Sequence, residues 1–139
     1  MITRHPKKRG EWVELQFMAR AAAHELTVSK PWGDSARYDF VVEHGGLCRR
    51  VQVKSTSHVG DGGYMCHATR HSRHGIGPYS RDDVDFLAAY IIPEDLWYVI
   101  PITDLTAKTG FCLNPRYHRN RYHRFLEAWH LLRNSKSPA

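Results

Sequence analysis

The stretch YDFVVEHGGLCRRVQVKST, residues 38–56, contains two β-rich runs separated by a Gly-Gly pair. This pattern predicts an antiparallel hairpin. If Gly45 and Gly46 form a two-residue turn, Asp39 lies directly opposite Gln52 on the neighbouring strand. Opposed residues share one face of a sheet, with Cβ atoms roughly 5 Å apart. The hairpin is therefore expected to bring a carboxylate and an amide together.

Lys54 joins this pair, because it lies two residues after Gln52 and so on the same strand face. The same register places Arg37 opposite Lys54. A three-residue loop would instead oppose Asp39 to Val51 and separate the polar side chains. The predicted cluster therefore depends on the turn.

The rest of the chain predicts a helix at each end with strands between them. Helices are expected at about residues 7–26 and 119–133. Strands are expected at about residues 37–43, 47–55, 64–70, 85–92 and 97–100. This order predicts one domain spanning residues 1–139, of α/β or α+β class, with a central mixed β-sheet flanked by helices.

The composition of the chain indicates which kind of partner it binds and in which cellular compartment it acts. The chain has 139 residues and a formal net charge of +6, which favours a phosphate-bearing partner. Its three cysteines are widely spaced without a CxxC pair, and this predicts reduced thiols in a cytoplasmic protein. The strongly apolar run at residues 86–92 is far too short to span a bilayer, so no membrane association is expected.

The cluster in the hairpin has the chemistry of a phosphodiester hydrolase. A carboxylate beside other oxygen ligands suits a hard divalent cation, and Mg²⁺ is the usual choice. A neighbouring lysine, here Lys54, supplies a positive charge where the phosphate reacts. The first helix could add a further acid, Glu14 or Glu11, and either residue could reach the sheet.

Four segments together resemble a known nuclease superfamily. These are G-x-x-x-E at residues 10–14, YD at 38–39, QVKS at 52–55 and VDFLAAYIIPEDLWYVIP at 84–101. Their order and spacing are similar to those of the PD-(D/E)XK nuclease superfamily, in its branch of small intron-encoded homing endonucleases. Holliday-junction resolvases are related to this branch. The resemblance implies a restriction-endonuclease-like core.

The resemblance also implies a role for each matching residue. Asp39 would be the central metal ligand, and Glu14 would help to place the metal or its water. Gln52 stands where most of the superfamily has Asp or Glu, a departure shared by the homing branch. The backbone carbonyl of Val53 would complete the ligand set, and Lys54 would be the catalytic lysine. Mg²⁺ is the expected cofactor, with Mn²⁺ as a substitute.

Two basic segments are predicted to contact the DNA backbone. The first is the Gly-punctuated loop with Arg70, Arg73 and Arg81, and the second is the Tyr-containing stretch with Arg119 and Arg121. The alternative for the first segment is a plain solubilising surface, and the alternative for the second is packing of its tyrosines against the last helix.

The sequence thus predicts a Mg²⁺-dependent DNA endonuclease, homing or restriction-like, whose catalytic residues are Glu14, Asp39, Gln52 and Lys54. A small domain with one site would cut both strands of a duplex as a homodimer, and a homotetramer is the other expected assembly. Two alternatives stay open at this point: a Holliday-junction resolvase, and a nucleic-acid-binding module without catalysis.

Overall fold

The computed structural model describes residues 2–72, 75–107 and 109–136, with the side chains of residues 70–76 outside the description. Within this part of the chain, one α-helix, α1, spans Pro6–Ala23. The strands in chain order are β1 Thr27–Ser29, β2 Phe40–His44, β3 Leu47–Thr56, β4 Val59–Gly60, β5 Gly63–His67, β6 Thr69–Ser72, β7 Gly75–Pro78, β8 Phe86–Ile91, β9 Leu96–Pro101 and β10 Gly110–Leu113.

The main sheet has the strand order β1-β2-β3-β8-β9. Strands β3 and β8 pair in parallel, whereas the other neighbours are antiparallel, so the sheet is mixed as predicted. A second sheet has the order β10-β5-β4, and β6 pairs with β7. The α+β class predicted from the sequence is therefore confirmed.

The main sheet is covered on both faces. On one face, Phe17 of α1 is fully buried in a cluster with Val51 and Val53 of β3. On the other face, Leu87 and Ala89 of β8 lie in a second cluster with β5, β9 and β10. All six residues of β8 are buried, which explains why its sequence is a continuous apolar run. Helix α1 thus packs directly over the strand that carries the predicted site residues.

The Gly-Gly turn has the predicted form. Gly45 and Gly46 have φ angles of 57° and 80°, and two successive positive values are typical of a type I′ hairpin turn. His44 pairs with Leu47, and the register continues to Phe40 opposite Val51. The two-residue turn is therefore confirmed and the three-residue alternative is excluded.

The first strand of the hairpin is shorter than predicted. It begins at Phe40, so Asp39 lies just outside the ladder and donates its N–H to the carbonyl of Val51 at 2.9 Å. The expected cross-strand pair of Arg37 with Lys54 does not form. Arg37 instead lies 2.6 Å from the buried carboxylate of Asp83.

The predicted helix at residues 119–133 is wrong. This segment contains turns and two short 3-10 helices, His123–Phe125 and Trp129–Leu132, although most of its apolar side chains are buried. Glu127 between them has a φ of 50°, which an α-helix cannot accommodate. Its N–H donates to the Trp97 carbonyl at 2.7 Å, and its carboxylate accepts from Trp129 Nε1 at 2.7 Å. These bonds stabilise the break.

Smaller differences concern the strands. The predicted strand at residues 64–70 is divided into β5 and β6 at Ala68, whose N–H donates to the carbonyl of Thr109. Four short strands, β1, β4, β7 and β10, were not predicted from the sequence. In the described residues, no helix has the length and apolar character that crossing a membrane requires. The single-domain organisation stays a prediction.

Two glycines provide a test of the turn. A Cβ added at Gly46 or at Gly10 in α1 would meet no atom within 4 Å, but only Gly46 has a positive φ. We expect Gly46→Ala to lower the free energy of unfolding by about 1–2 kcal/mol, because of left-handed strain. Gly10→Ala should raise it by about 0.5–1 kcal/mol, because alanine favours helix. Urea unfolding measures both, and equal shifts in the same direction would contradict the turn assignment.

Candidate active site

The carboxylate of Asp39 is fixed at the point where the β2–β3 ladder ends. Its Oδ2 accepts a hydrogen bond from the N–H of Val53 at 2.8 Å. The side chain therefore takes the place that a further strand residue would occupy in the ladder. A carboxylate has more acceptor sites than this bond uses, so Asp39 can still bind a cation.

A pocket of about 320 Å³ lies between α1 and this end of the hairpin. It is lined by Lys7, Gly10, Glu11, Glu14, Asp39, Gln52 and Val53. The four residues predicted as metal ligands thus lie around one cavity. Glu11, the other candidate acid of α1, lines the same cavity.

Glu14 also contacts a residue that the sequence analysis missed. Its Oε2 lies 3.2 Å from Nζ of Lys30, which follows β1 and is 56% exposed at the side chain. The same ammonium lies 4.9 Å from the ring centroid of Phe40. Lys30 had no sequence signal, because only the docking of α1 against β1 brings it to Glu14.

Burial dominates the electrostatics of Asp39. Removal from water raises the pKa of this carboxyl, and the hydrogen bond from Val53 opposes that shift. The Glu14 carboxylate raises the pKa further, whereas Lys30 and Lys54 lower it. Glu14 and Lys54 therefore lie within electrostatic reach of Asp39. A buried acid beside a second carboxylate is stabilised as an anion when a cation is close.

Lys54 is not one of the described residues that line this pocket. Its Nζ lies 5.6 Å from the ring centroid of Tyr79, which is a further residue that the sequence analysis did not identify. Burial raises the pKa of the Cys66 thiol on β5 to about 12, and the Lys54 ammonium opposes that shift. The lysine thus lies on the sheet face of the second cluster, which is opposite the face covered by α1.

The oxygen atoms around the pocket fit a hard divalent cation. Among the described residues the amide of Gln52 has no hydrogen-bond partner, so its oxygen is free to coordinate. The carbonyl of Val53 points to the same side of β3 as its N–H, which is directed at Asp39. Carboxylate, amide and peptide oxygens are the donors that Mg²⁺ binds.

The donor set is poor in charge. Within the described ranges, no group of three or more His, Cys, Asp or Glu side chains is placed to hold a metal ion. The site instead combines two carboxylates, from Asp39 and Glu14, with neutral oxygens. The choice of Glu14 over Glu11, and the ligand roles as a whole, stay predictions.

The predicted DNA-binding arginines are only partly described. Arg81, Arg119 and Arg121 are exposed, and none of them forms an ion pair with another described residue. The side chain of Arg70 and the whole of Arg73 lie outside the described part of the chain. Exposure makes the first three available to a phosphate backbone.

Comparison with known proteins agrees with this fold. The family model for PD-(D/E)XK endonucleases matches residues 4–132, so the chain belongs to the PD-(D/E)XK endonuclease family. The structure is similar to that of a bacterial homing endonuclease, I-Ssp6803I, with a TM-score of 0.78 and 31% sequence identity. The match covers 92% of this chain and 93% of that chain. No curated protein matches significantly. The predicted superfamily, its homing branch and the restriction-endonuclease-like core are therefore confirmed.

The raised pKa of Asp39 predicts a conflict between stability and function. Because the folded pKa lies above the unfolded one, ionisation of Asp39 destabilises the fold as pH rises through the folded pKa. We expect Asp39→Asn to be more stable than the wild type at neutral pH in EDTA. The difference should vanish below the ordinary carboxyl pKa of 3.8.

Urea unfolding at both pH values tests this, with the exposed turn residue Asp61 as a control in the variant Asp61→Asn. The same titrations with a divalent cation should stabilise the wild type but not Asp39→Asn, since only a native site gains stability from its ligand. A less stable Asp39→Asn protein at neutral pH would contradict the electrostatic assignment.

Proposed function

We propose that this endonuclease cleaves DNA by metal-dependent phosphodiester hydrolysis, with Mg²⁺ as cofactor and Mn²⁺ as a substitute. The observation that carries this proposal is the Asp39 carboxylate, held by the N–H of Val53 beside Gln52. Lys54 lies within electrostatic reach of the same carboxylate. Family membership supports the reaction type, and the arrangement of these groups supports the residue roles.

Four residues would hold the cation. Asp39 would supply an oxygen not used by Val53, and Glu14 would supply the second charged group. The amide oxygen of Gln52 and the carbonyl of Val53 would complete the set from β3. A bound divalent cation supplies an activated water and neutralises charge on the phosphate. Glu14 could bind through Oε1, because the contact with Lys30 at 3.2 Å uses only Oε2.

Lys54 would act on the reacting phosphate. Its ammonium lies 5.6 Å from the ring centroid of Tyr79, and no hydrogen bond or ion pair to another described residue uses its protons. A lysine in this position can orient the attacking water and stabilise negative charge that develops in the transition state.

The exposed arginines would bind the DNA backbone on either side of the site. We include Arg81, Arg119 and Arg121 on the basis of their exposure, and Arg70 and Arg73 on the basis of the sequence alone. The net charge of +6 supports binding to a polyanion. These contacts would position the duplex without reading its sequence.

The biological role proposed is that of a homing or restriction-like enzyme acting in the cytoplasm. The solved relative is titled a homing endonuclease, and the similarity to it covers nearly the whole chain. One site per chain and two strands per duplex favour a homodimer, with a homotetramer as the alternative.

A cleavage assay tests the function directly. Plasmid and four-way-junction DNA are incubated with the protein in Mg²⁺, in Mn²⁺ and in EDTA. Nicking or linearisation of plasmid at discrete positions, abolished by EDTA, is the expected result. Symmetric cuts confined to the junction would identify a resolvase instead. Binding without cleavage under any metal would leave only the nucleic-acid-binding module.

Replacement of Lys54 separates catalysis from binding. We expect Lys54→Ala to slow cleavage about 10²–10³-fold, as loss of one preorganised transition-state donor typically does. The dissociation constant for DNA should change little, because one amine contributes a small part of the total phosphate attraction. Lys8→Ala removes the same charge from an exposed position of α1 and is the matched control. Cleavage by Lys54→Ala at the wild-type rate would exclude a catalytic role.

Replacement of Gln52 tests the neutral ligand. Gln52→Glu adds a negative charge to the oxygen set, so Mg²⁺ and Mn²⁺ should bind more tightly. Gln52→Ala should bind them more weakly, with cleavage partly rescued at high metal concentration. The chain's other glutamine, Gln16 of α1, does not line the pocket, and Gln16→Glu controls for the added charge. Identical calorimetric titrations for wild type, Gln52→Glu and Gln52→Ala would show that Gln52 is not a ligand.

A further inference from the structure

Trp32 is the one tryptophan that the fold leaves in water. Its side chain is 101% exposed, the highest value among the exposed large hydrophobic residues of the described chain. Trp97 and Trp129 are almost completely buried, and Trp12 packs against the core. Full exposure forgoes the favourable burial of a large aromatic surface. The fold itself therefore does not explain the residue.

The position of Trp32 in the chain places it beside the active site. The loop between β1 and β2 lines a second pocket, of about 230 Å³, through residues that include Lys30, Pro31 and Gly33. Asp39 lines this pocket and also the pocket between α1 and the hairpin. Both immediate neighbours of Trp32 thus line a cavity that adjoins the predicted metal ligand. The indole projects from that rim into solvent.

The residues on either side of Trp32 favour a loop conformation in which its indole points into solvent. Pro31 fixes its own φ, and Gly33 has a φ of 83°, which reverses the chain directly after Trp32. A Cβ at Gly33 would meet no atom within 4 Å, so the glycine is required by conformation rather than by space. The ammonium of Lys30, two residues away, adds a positive charge to the same rim.

We propose that the Trp32 indole stacks against the nucleotides that flank the cleaved phosphate. This inference rests on the proposed function, because it requires DNA at Asp39. A duplex that presents one phosphate to Asp39 presents the neighbouring nucleotides to the adjoining loop, since they follow at about 3.4 Å spacing along each strand. The faces of paired bases are covered by their neighbours, so the indole would reach a base face by inserting between two base pairs and partly unstacking them, as large apolar side chains do in proteins that kink DNA. The occupant of this surface is therefore DNA.

Fluorescence provides the first test. The wild type is mixed with short random-sequence duplexes in EDTA, where no cleavage occurs, and its tryptophan emission is titrated with acrylamide. DNA should remove the accessible component of the emission. Trp32→Phe should lack that component with or without DNA, because the other tryptophans are buried or partly buried. Unchanged quenching of the wild type on saturation with DNA would overturn the proposal.

Affinity provides the second test. Trp32→Ala should weaken duplex binding roughly 5- to 150-fold, the effect of losing one stacked aromatic, and Trp32→Phe should retain most of the affinity. Thermal stability of both variants should equal that of the wild type, since the exposed side chain packs against nothing. Wild-type affinity of Trp32→Ala would overturn the proposal.

The two proposals fail in different ways. If the wild type cleaves DNA but Trp32→Ala binds and cleaves equally well, only the role of Trp32 is excluded. If the wild type neither binds nor cleaves DNA, the proposed function is excluded, and the role of Trp32 with it. If Trp32→Ala changes the sedimentation coefficient of the DNA-free protein, the indole contacts a second copy of this chain, which also overturns the proposal.

Discussion

The hydrogen bond from the N–H of Val53 to the carboxylate of Asp39 is the constraint on which the site depends. It lies where the β2–β3 ladder ends. At this point the N–H of Val53 on β3 donates to a side chain instead of to a backbone carbonyl of β2. The same bond aims the carboxylate at the pocket under α1. A buried polar N–H requires a partner, and here the partner is also the predicted metal ligand. The same hydrogen bond therefore stabilises the end of the hairpin and positions the predicted metal ligand.

The central part of this arrangement could be predicted from the sequence. Two adjacent glycines specify a tight turn, and the turn fixes which residues of β2 and β3 approach each other. That register predicts that Asp39 lies close to Gln52 and Lys54, even though the ladder ends one residue before Asp39. The pairing of β2 with β3 can be predicted because the turn between them, which is close in sequence, fixes the register.

The parts that could not be predicted depend on contacts between distant residues. Lys30 meets Glu14 only because α1 packs beside β1, and Tyr79 meets Lys54 only through the loop before β8. The apolar spacing of residues 119–133 is helical, yet Glu127 adopts a left-handed conformation that Trp97 and Trp129 stabilise by hydrogen bonds. Tertiary contacts thus override a local helical pattern.

The parallel pairing of β3 with β8 has a consequence for how the chain folds. The β2–β3 hairpin needs only a short loop closure, whereas β8 must join β3 across the intervening residues, which themselves form β4–β7. Pairing over such a separation costs loop entropy before it gains contacts, so it forms slowly. The hairpin can therefore be present while the sheet is still incomplete. A partly synthesised chain carries Asp39 and Lys54 but lacks β8, the strand that pairs with β3 on the side opposite β2.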